Sequence, residues 1–142
     1  MKNYPISINC QVRWGEMDAL GHINNTVYFR YFEDVRIEYF KKLGFEAVTS
    51  DQEMGPILAQ ISCQFLRPVE YPDQVTIGVW VARIGNTSLQ MDYEIYSEQH
   101  QEVVATGTSV IVMINYQTGA KIQLPNQKRQ QIQDLQIDFK TD

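Results

Sequence analysis

From Ile6 onward apolar and polar positions alternate, with Ile6, Ile8, Cys10, Val12 and Trp14 on one face. A period of two is that of a β-strand with one wet side, so the pattern predicts strand over 6–14. The stretch that follows, GEMDALGHINN, is rich in Gly, Asp and Asn and reads as a loop. At Thr26 the period lengthens. Val27, Tyr31, Val35, Tyr39 and Leu43 recur at helical spacing, with Tyr28, Phe32 and Phe40 beside the stripe, which predicts a helix over 26–43. Asn24 or Asn25 can cap its start, and Gly44 suits a left-handed residue after its end. At 1.5 Å per residue this helix spans about 27 Å. So aromatic a helix should be wrapped by other structure.

The remainder is mostly strand. Residues 57–67 and 74–84 are rich in β-branched and aromatic side chains and are separated by the turn-like PVEYPD. Gly85-Asn86 reads as a hairpin turn. Residues 88–96 alternate again, SEQHQ forms a turn, and residues 103–116 are apolar on both faces, as in a central strand. After a TGA turn come a short strand near 121–124 and a polar helix from Asn126. Several strands exceed the usual length of about five or six residues, as in a sheet long enough to curl around a helix. The order is one strand, one long helix, then four antiparallel strands: an α+β layer arrangement. One helix cannot cover both faces of so apolar a sheet, and its outer strands would be bare, so dimerisation through a sheet edge is expected.

Composition narrows the function classes. A chain of 142 residues has room for one domain, taken as 1–142, and shows no repeat or linker. With 44% hydrophobic and 20% charged residues it resembles an ordinary soluble globular protein. A net charge of −5 argues against nucleic acid as a partner, since phosphate binding needs a basic face. The N-terminal MKNYPISINC carries no apolar run fit for a signal peptide or membrane span, so a cytoplasmic location is expected. Cys10 and Cys63 read as buried free thiols, and Cys10, with no His neighbour, makes a poor nucleophile. Two His and two Cys, scattered singly, have no metal-ligand spacing, and neither metal nor cofactor is expected. Trp14 and Trp80 read as core, His100 as a solvated turn residue, and Lys128 and Arg129 as a solvated helix face.

One segment carries chemistry: Arg13-Trp14-Gly15-Glu16-Met17-Asp18-Ala19-Leu20-Gly21-His22-Ile23-Asn24-Asn25. It leaves a strand, turns, and delivers polar residues to the start of an apolar helix. Helix N-termini carry unpaired N–H groups and partial positive charge, so they hold anions, including an oxyanion developing on a carbonyl. A carboxylate just upstream can attack that carbonyl or activate a water. Taken alone, the loop fits turn and capping roles better, since Asn caps and Asp-x-x-Gly turns are common. No G-x-S-x-G elbow occurs, which weighs against an α/β-hydrolase type of esterase.

The whole stretch RWGEMDALGHINNTVYFRYFEDVRIEY resembles the hotdog-fold acyl-CoA thioesterases related to 4-hydroxybenzoyl-CoA thioesterase. In that family Asp-x-x-Gly-His-hydrophobic-Asn-Asn-x-x-Tyr leads into the central helix. FLRPVEYPDQV and RIGNTS sit where the family places its second strand, turn and hairpin, so the resemblance runs from about residue 6 to 124. It implies a hotdog fold, one long central helix wrapped by a curved antiparallel sheet of five or six strands. It also implies hydrolysis of an acyl-CoA or acyl-carrier-protein thioester. Asp18 would be the catalytic carboxylate, as nucleophile or general base, and the backbone N–H at or near Asn25 the oxyanion donor. His22, Asn24 and Tyr28 would shape the pocket and align the thioester, with a catalytic role for His22, or a loop residue satisfied by backbone, as its other readings. Arg83, Asn86, Thr87 and Ser88 would touch the CoA phosphates and pantetheine. One branch uses a helix carboxylate instead, for which Glu33 is the nearest candidate, against an ordinary ion-paired helix residue. Tyr28, Phe32, Phe65 and Met91 fit an acyl tunnel or plain core equally well. The family forms homodimers and dimers of dimers. Thiolate is a tolerable leaving group, a thiol pKa being about 8.5, so one carboxylate and an oxyanion site can suffice. A non-catalytic acyl-CoA binder on the same fold is the main competing reading; a hydratase is weaker, because its motifs are absent.

Overall fold

The alternation that opens the chain becomes β1 (Ile6–Gln11), paired antiparallel to the start of β3 (Gln74–Ile84). The computed structural model describes residues 1–45 and 53–141. After a 3-10 turn at Trp14–Glu16 come α1 (Asn25–Lys42), β2 (Met54–Phe65) and β3, then β4 (Ser88–Ser97), β5 (Glu102–Asn115) and α2 (Asn126–Leu135). The five strands make one antiparallel sheet in the order β1-β3-β4-β5-β2. The expected α+β plan of one long helix against a curved antiparallel sheet is therefore present, with α2 as a second helix.

β4 alternates cleanly: Leu89, Met91, Tyr93 and Ile95 are buried toward α1, and Gln90, Asp92 and Glu94 occupy the other face. β5 lies between β4 and β2, an interior position as its apolar faces suggested, while β4 takes the centre. α1 presses Tyr28, Tyr31, Phe32, Val35 and Tyr39 into the core. Full burial of such a side chain is worth about 1.5–3 kcal/mol, so these residues hold the helix to the sheet. At Gly107 a Cβ would lie 2.6 Å from the Phe32 ring, so glycine there is what lets the helix approach.

Five expectations are corrected. Strand β1 stops at Gln11, opposite Gln74 where β3 begins, with one further bond from the Val12 N–H to the Asp73 carbonyl at 2.9 Å. Trp14 is consequently not core: it is 71% exposed, set edge-on to Tyr71. Strand β2 ends at Phe65, since Leu66 and Arg67 both donate to the single Val104 carbonyl. The expected strand at 121–124 reduces to one bridge, Ile114 with Lys121. Lys128 and Arg129 do not form a solvated face. Lys128 Nζ donates to the Leu43 carbonyl at the end of α1, and Arg129 donates to Leu124, Gly85 and Asn86. Both supply donors to main-chain carbonyls at the ends of elements. Trp80 is buried as expected, but on the outer sheet face, between Tyr4 and Phe139.

Candidate active site

The loop from β1 to α1 closes on itself before it meets the helix. Met17 bridges Ile23, the Asp18 N–H donates to the His22 carbonyl at 2.7 Å, and Gly21 takes φ 83° to make the reversal. Asp18 Oδ1 accepts the Leu20 N–H at 2.9 Å and the His22 N–H at 3.4 Å. Its Oδ2 has no hydrogen-bond partner among the described residues. Glu16 fastens the loop from below. Its Oε1 accepts the Arg13 N–H at 2.8 Å and the Tyr31 hydroxyl at 3.3 Å, and its carbonyl accepts the Asn24 N–H at 2.9 Å. The Ile23 N–H donates to the carbonyl of fully buried Val69, tying the loop to the turn after β2.

Asn24 caps α1, its Oδ1 accepting the Thr26 N–H at 2.9 Å. The first helical N–H, that of Asn25, has no intrahelical acceptor by geometry and stays open for a ligand. Asp18, His22, Asn24, Asn25 and Tyr28 gather in one cleft of about 510 Å³, joined by Phe65 and Arg67. Tyr28 is buried, with its ring edge-on to Phe65 at 4.8 Å. Burial pushes its hydroxyl up to about 12, so it stays protonated at neutral pH. A neighbouring cleft of about 440 Å³ shares His22 and Arg67 and adds Glu70 and His100. There His22 Nε2 lies 3.4 Å from Glu70 Oε1, and Arg67 pairs with Glu102 at 2.7 Å.

Other candidates fall elsewhere. Arg83, Asn86, Thr87 and Ser88 sit at the far end of β3, about 30 Å from its first residue at 3.3 Å per residue. Within one chain they do not meet Asp18. Glu33 is exposed and paired with Arg30 at 2.8 Å, about two turns along α1. Phe32 and Met91 are fully buried core, whereas Tyr28 and half-exposed Phe65 line the cleft. Burial raises the thiols of Cys10 and Cys63, the latter to about 11, which keeps both protonated. His100 is half-buried at the neighbouring cleft rather than freely solvated. The sequence reading missed Arg67, Glu70 and Glu16; only Glu16 left a local trace, a carboxylate three residues after the turn it caps. Among the described residues no cluster of His, Cys, Asp or Glu is placed to hold a metal, and no helix is long and apolar enough to cross a membrane.

Comparison with known proteins identifies the family. Residues 12–132 match the family profile described as Thioesterase-like superfamily. Bacillus subtilis YsmA is 31% identical over 119 residues, which cover 84% of this chain and 79% of YsmA. A thioesterase from Thermus thermophilus, solved with coenzyme A and Zn, is 29% identical with a TM-score of 0.80, over 95% of this chain and 96% of that one. A Bacillus stearothermophilus structure described as a predicted thioesterase is 30% identical with a TM-score of 0.81, over 90% of this chain and 93% of that one. The chain belongs to the thioesterase-like superfamily and is a hotdog-fold thioester hydrolase.

Proposed function

We propose that the protein hydrolyses an acyl-CoA thioester to the free acid and CoA, with Asp18 as the reacting carboxylate. The observation that carries this reading is the pairing, in one cleft, of a carboxylate steadied through Oδ1 with an uncommitted helix N–H at Asn25. Asp18 Oδ2 either attacks the thioester carbonyl carbon or takes a proton from the water that does. The carbonyl oxygen gains negative charge and accepts the Asn25 N–H, assisted by the partial positive charge at the helix start. Collapse of the tetrahedral species breaks the C–S bond and expels the thiolate, which needs little acid assistance. In the nucleophilic route the resulting anhydride is then opened by water. Tyr28, held protonated, and His22 line the cleft and align the thioester; Asn24 holds the helix start in place.

CoA as the carrier is supported by the Thermus thermophilus relative, which was solved with it; a carrier-protein arm would present the same thioester. Strand β2 offers a free edge with Ile57, Leu58 and Phe65 exposed, suited to pairing with a second copy. Its Phe65 end adjoins the Asp18 cleft, and its Met54 end lies toward the turn after β3. An antiparallel β2–β2 pair sets opposite ends side by side. That would bring Arg83, Asn86, Thr87 and Ser88 of the second copy toward the Asp18 cleft, where CoA phosphates need donors. Acting as one domain on CoA thioesters, with unpaired cysteines, the protein fits a cytoplasmic setting.

The test is thiol release from a panel of acyl-CoA substrates. Asp18→Asn should lower kcat by about 100-fold or more, as loss of a reacting carboxylate does. An unchanged kcat would show that Asp18 is not the reacting group. Tight acyl-CoA binding without turnover by the wild type would favour the non-catalytic reading.

A further inference from the structure

Phe32 is fully buried one helical turn beyond Tyr28. Its ring seats where Gly107 has no side chain, since a Cβ there would lie 2.6 Å from it. Tyr93 holds the same ring at 4.6 Å between centroids, and Phe29 meets it edge-on at 6.3 Å. Contacts on three sides fix the ring in place, as in any close-packed interior.

The fold sets this ring directly behind the Asp18 cleft. On the sheet, Phe65 lies opposite Ala105; two residues away, on the same face, Cys63 lies opposite Gly107. On the helix, Tyr28 and Phe32 are four residues apart and share a face. The Tyr28–Phe65 contact at 4.8 Å and the seat of Phe32 on Gly107 are therefore successive steps of one helix–sheet seam. Helical side chains lean toward the N-terminus, so the Phe32 ring covers the turn on the Tyr28 side. The first step walls the cleft, with Ile23 and Pro68, whereas Phe32, Gly107 and Cys63 stand outside its lining. Cys63, packed against the core, adds no room beyond. From Asn25, the oxyanion donor proposed above, α1 rises about 4.5 Å to Tyr28 and about 10.5 Å to Phe32. An acyl group held at Asn25 and directed along the seam meets Tyr28 and Phe65 first, then the closed Phe32 ring.

We propose that Phe32, seated on Gly107, is the specificity-determining residue that ends the acyl site, so that the substrate is the CoA thioester of a short acyl chain. This rests on the acyl-CoA reading above and deepens it. Methylenes within the cleft leave water against Ile23, Tyr28, Phe65 and Pro68, and those beyond it meet no apolar wall. Each methylene buried adds about fourfold to binding, and each left in water adds nothing.

Two measurements test it. The first is kcat/KM for the butyryl, hexanoyl, octanoyl and dodecanoyl thioesters of CoA. Wild type should gain from butyryl to hexanoyl and then level off or fall. Phe32→Ala should carry the gain on to longer chains, raising the dodecanoyl-to-butyryl ratio by about tenfold or more, the worth of two newly buried methylenes. Phe32→Leu, the fallback where the Ala variant does not fold, should raise it in part. Met113→Ala, a comparable loss of buried core near the far end of β5, should leave the ratio unchanged. The second is calorimetric binding of the matching S-alkyl-CoA thioethers, which cannot be hydrolysed. Wild-type affinity should stop rising beyond S-hexyl-CoA, and that of the Phe32 variants should go on rising. A wild type that gains through to the longest chain, a Phe32 variant that scales all chain lengths alike, or a Met113→Ala shift of the same size overturns the proposal and makes Phe32 structural. Hydrolysis of the whole series with no cutoff overturns it while leaving the thioesterase reading intact; a chain-length cutoff in binding with no hydrolysis fails that reading alone.

Discussion

Asn24 lines the cleft and caps α1, its side chain accepting the Thr26 N–H, and in the proposed mechanism it holds the helix start that presents the Asn25 N–H. Asn24→Ala should cost about 1 kcal/mol of stability, the usual worth of such a cap, read as a lower urea midpoint. Gly107 is the reverse case, a residue defined by what it lacks. Gly107→Ala pushes a methyl into the Phe32 ring and should cost about 1–3 kcal/mol, partly recovered in a double variant with Phe32→Leu. Asp18, His22, Asn24 and Asn25 were legible because one loop carries them all, and loop geometry is local. Arg67 and Glu70 were not, because they reach the cleft only after β2 has paired with β5 and the chain has turned back.

At the scale of elements, α2 turns from a solvated appendage into a clasp. Arg129 joins it to the β3–β4 turn and Lys128 to the end of α1, where the ammonium also lies 4.9 Å from the Phe45 ring. Arg129→Ala takes the side-chain donor from the Leu124 and Gly85 carbonyls, while the Asn86 carbonyl keeps the Leu124 N–H. It should destabilise by about 1–3 kcal/mol. Hydrogen exchange should then rise first at Gly85–Ser88 and in α2, before the sheet centre responds. The helix was anticipated there, but not its attachment: Lys and Arg on a polar helix look solvated until the carbonyls they reach are known. The early end of β1 has the same origin. Alternation continues through Trp14, but a strand persists only while a neighbour supplies hydrogen bonds, and β3 begins opposite Gln11.

For the whole molecule, titration and assembly offer tests that no single contact does. Burial raises the hydroxyls of Tyr4, Tyr28, Tyr31 and Tyr39, with Tyr28 at about 12 against an ordinary 10.0. An acid held more tightly protonated in the folded state contributes its full stabilisation below its unfolded pKa and loses it as pH rises toward the folded one. Urea midpoints should therefore fall between about pH 10 and pH 12, and Tyr28→Phe should flatten part of that slope. The β2 edge yields the second test. Under the proposed β2–β2 pairing, Leu58→Asp should shift light-scattering mass from dimer to monomer at micromolar concentration and depress hydrolysis with it, because the turn after β3 lies at the wrong end of a lone chain.

The residues alone determined the order of elements, the long aromatic helix, the strand faces and the Asp18 loop at the helix start. Each follows from periodicity or turn chemistry within a short window, where steric and hydrogen-bonding preferences act locally. The tertiary structure decided where β1 ends, what Lys128 and Arg129 hold, which aromatic residues face the cleft, and that Phe32 seats on Gly107. These depend on register and on which surfaces meet, and contacts between distant segments form only when the sheet closes beneath the helix.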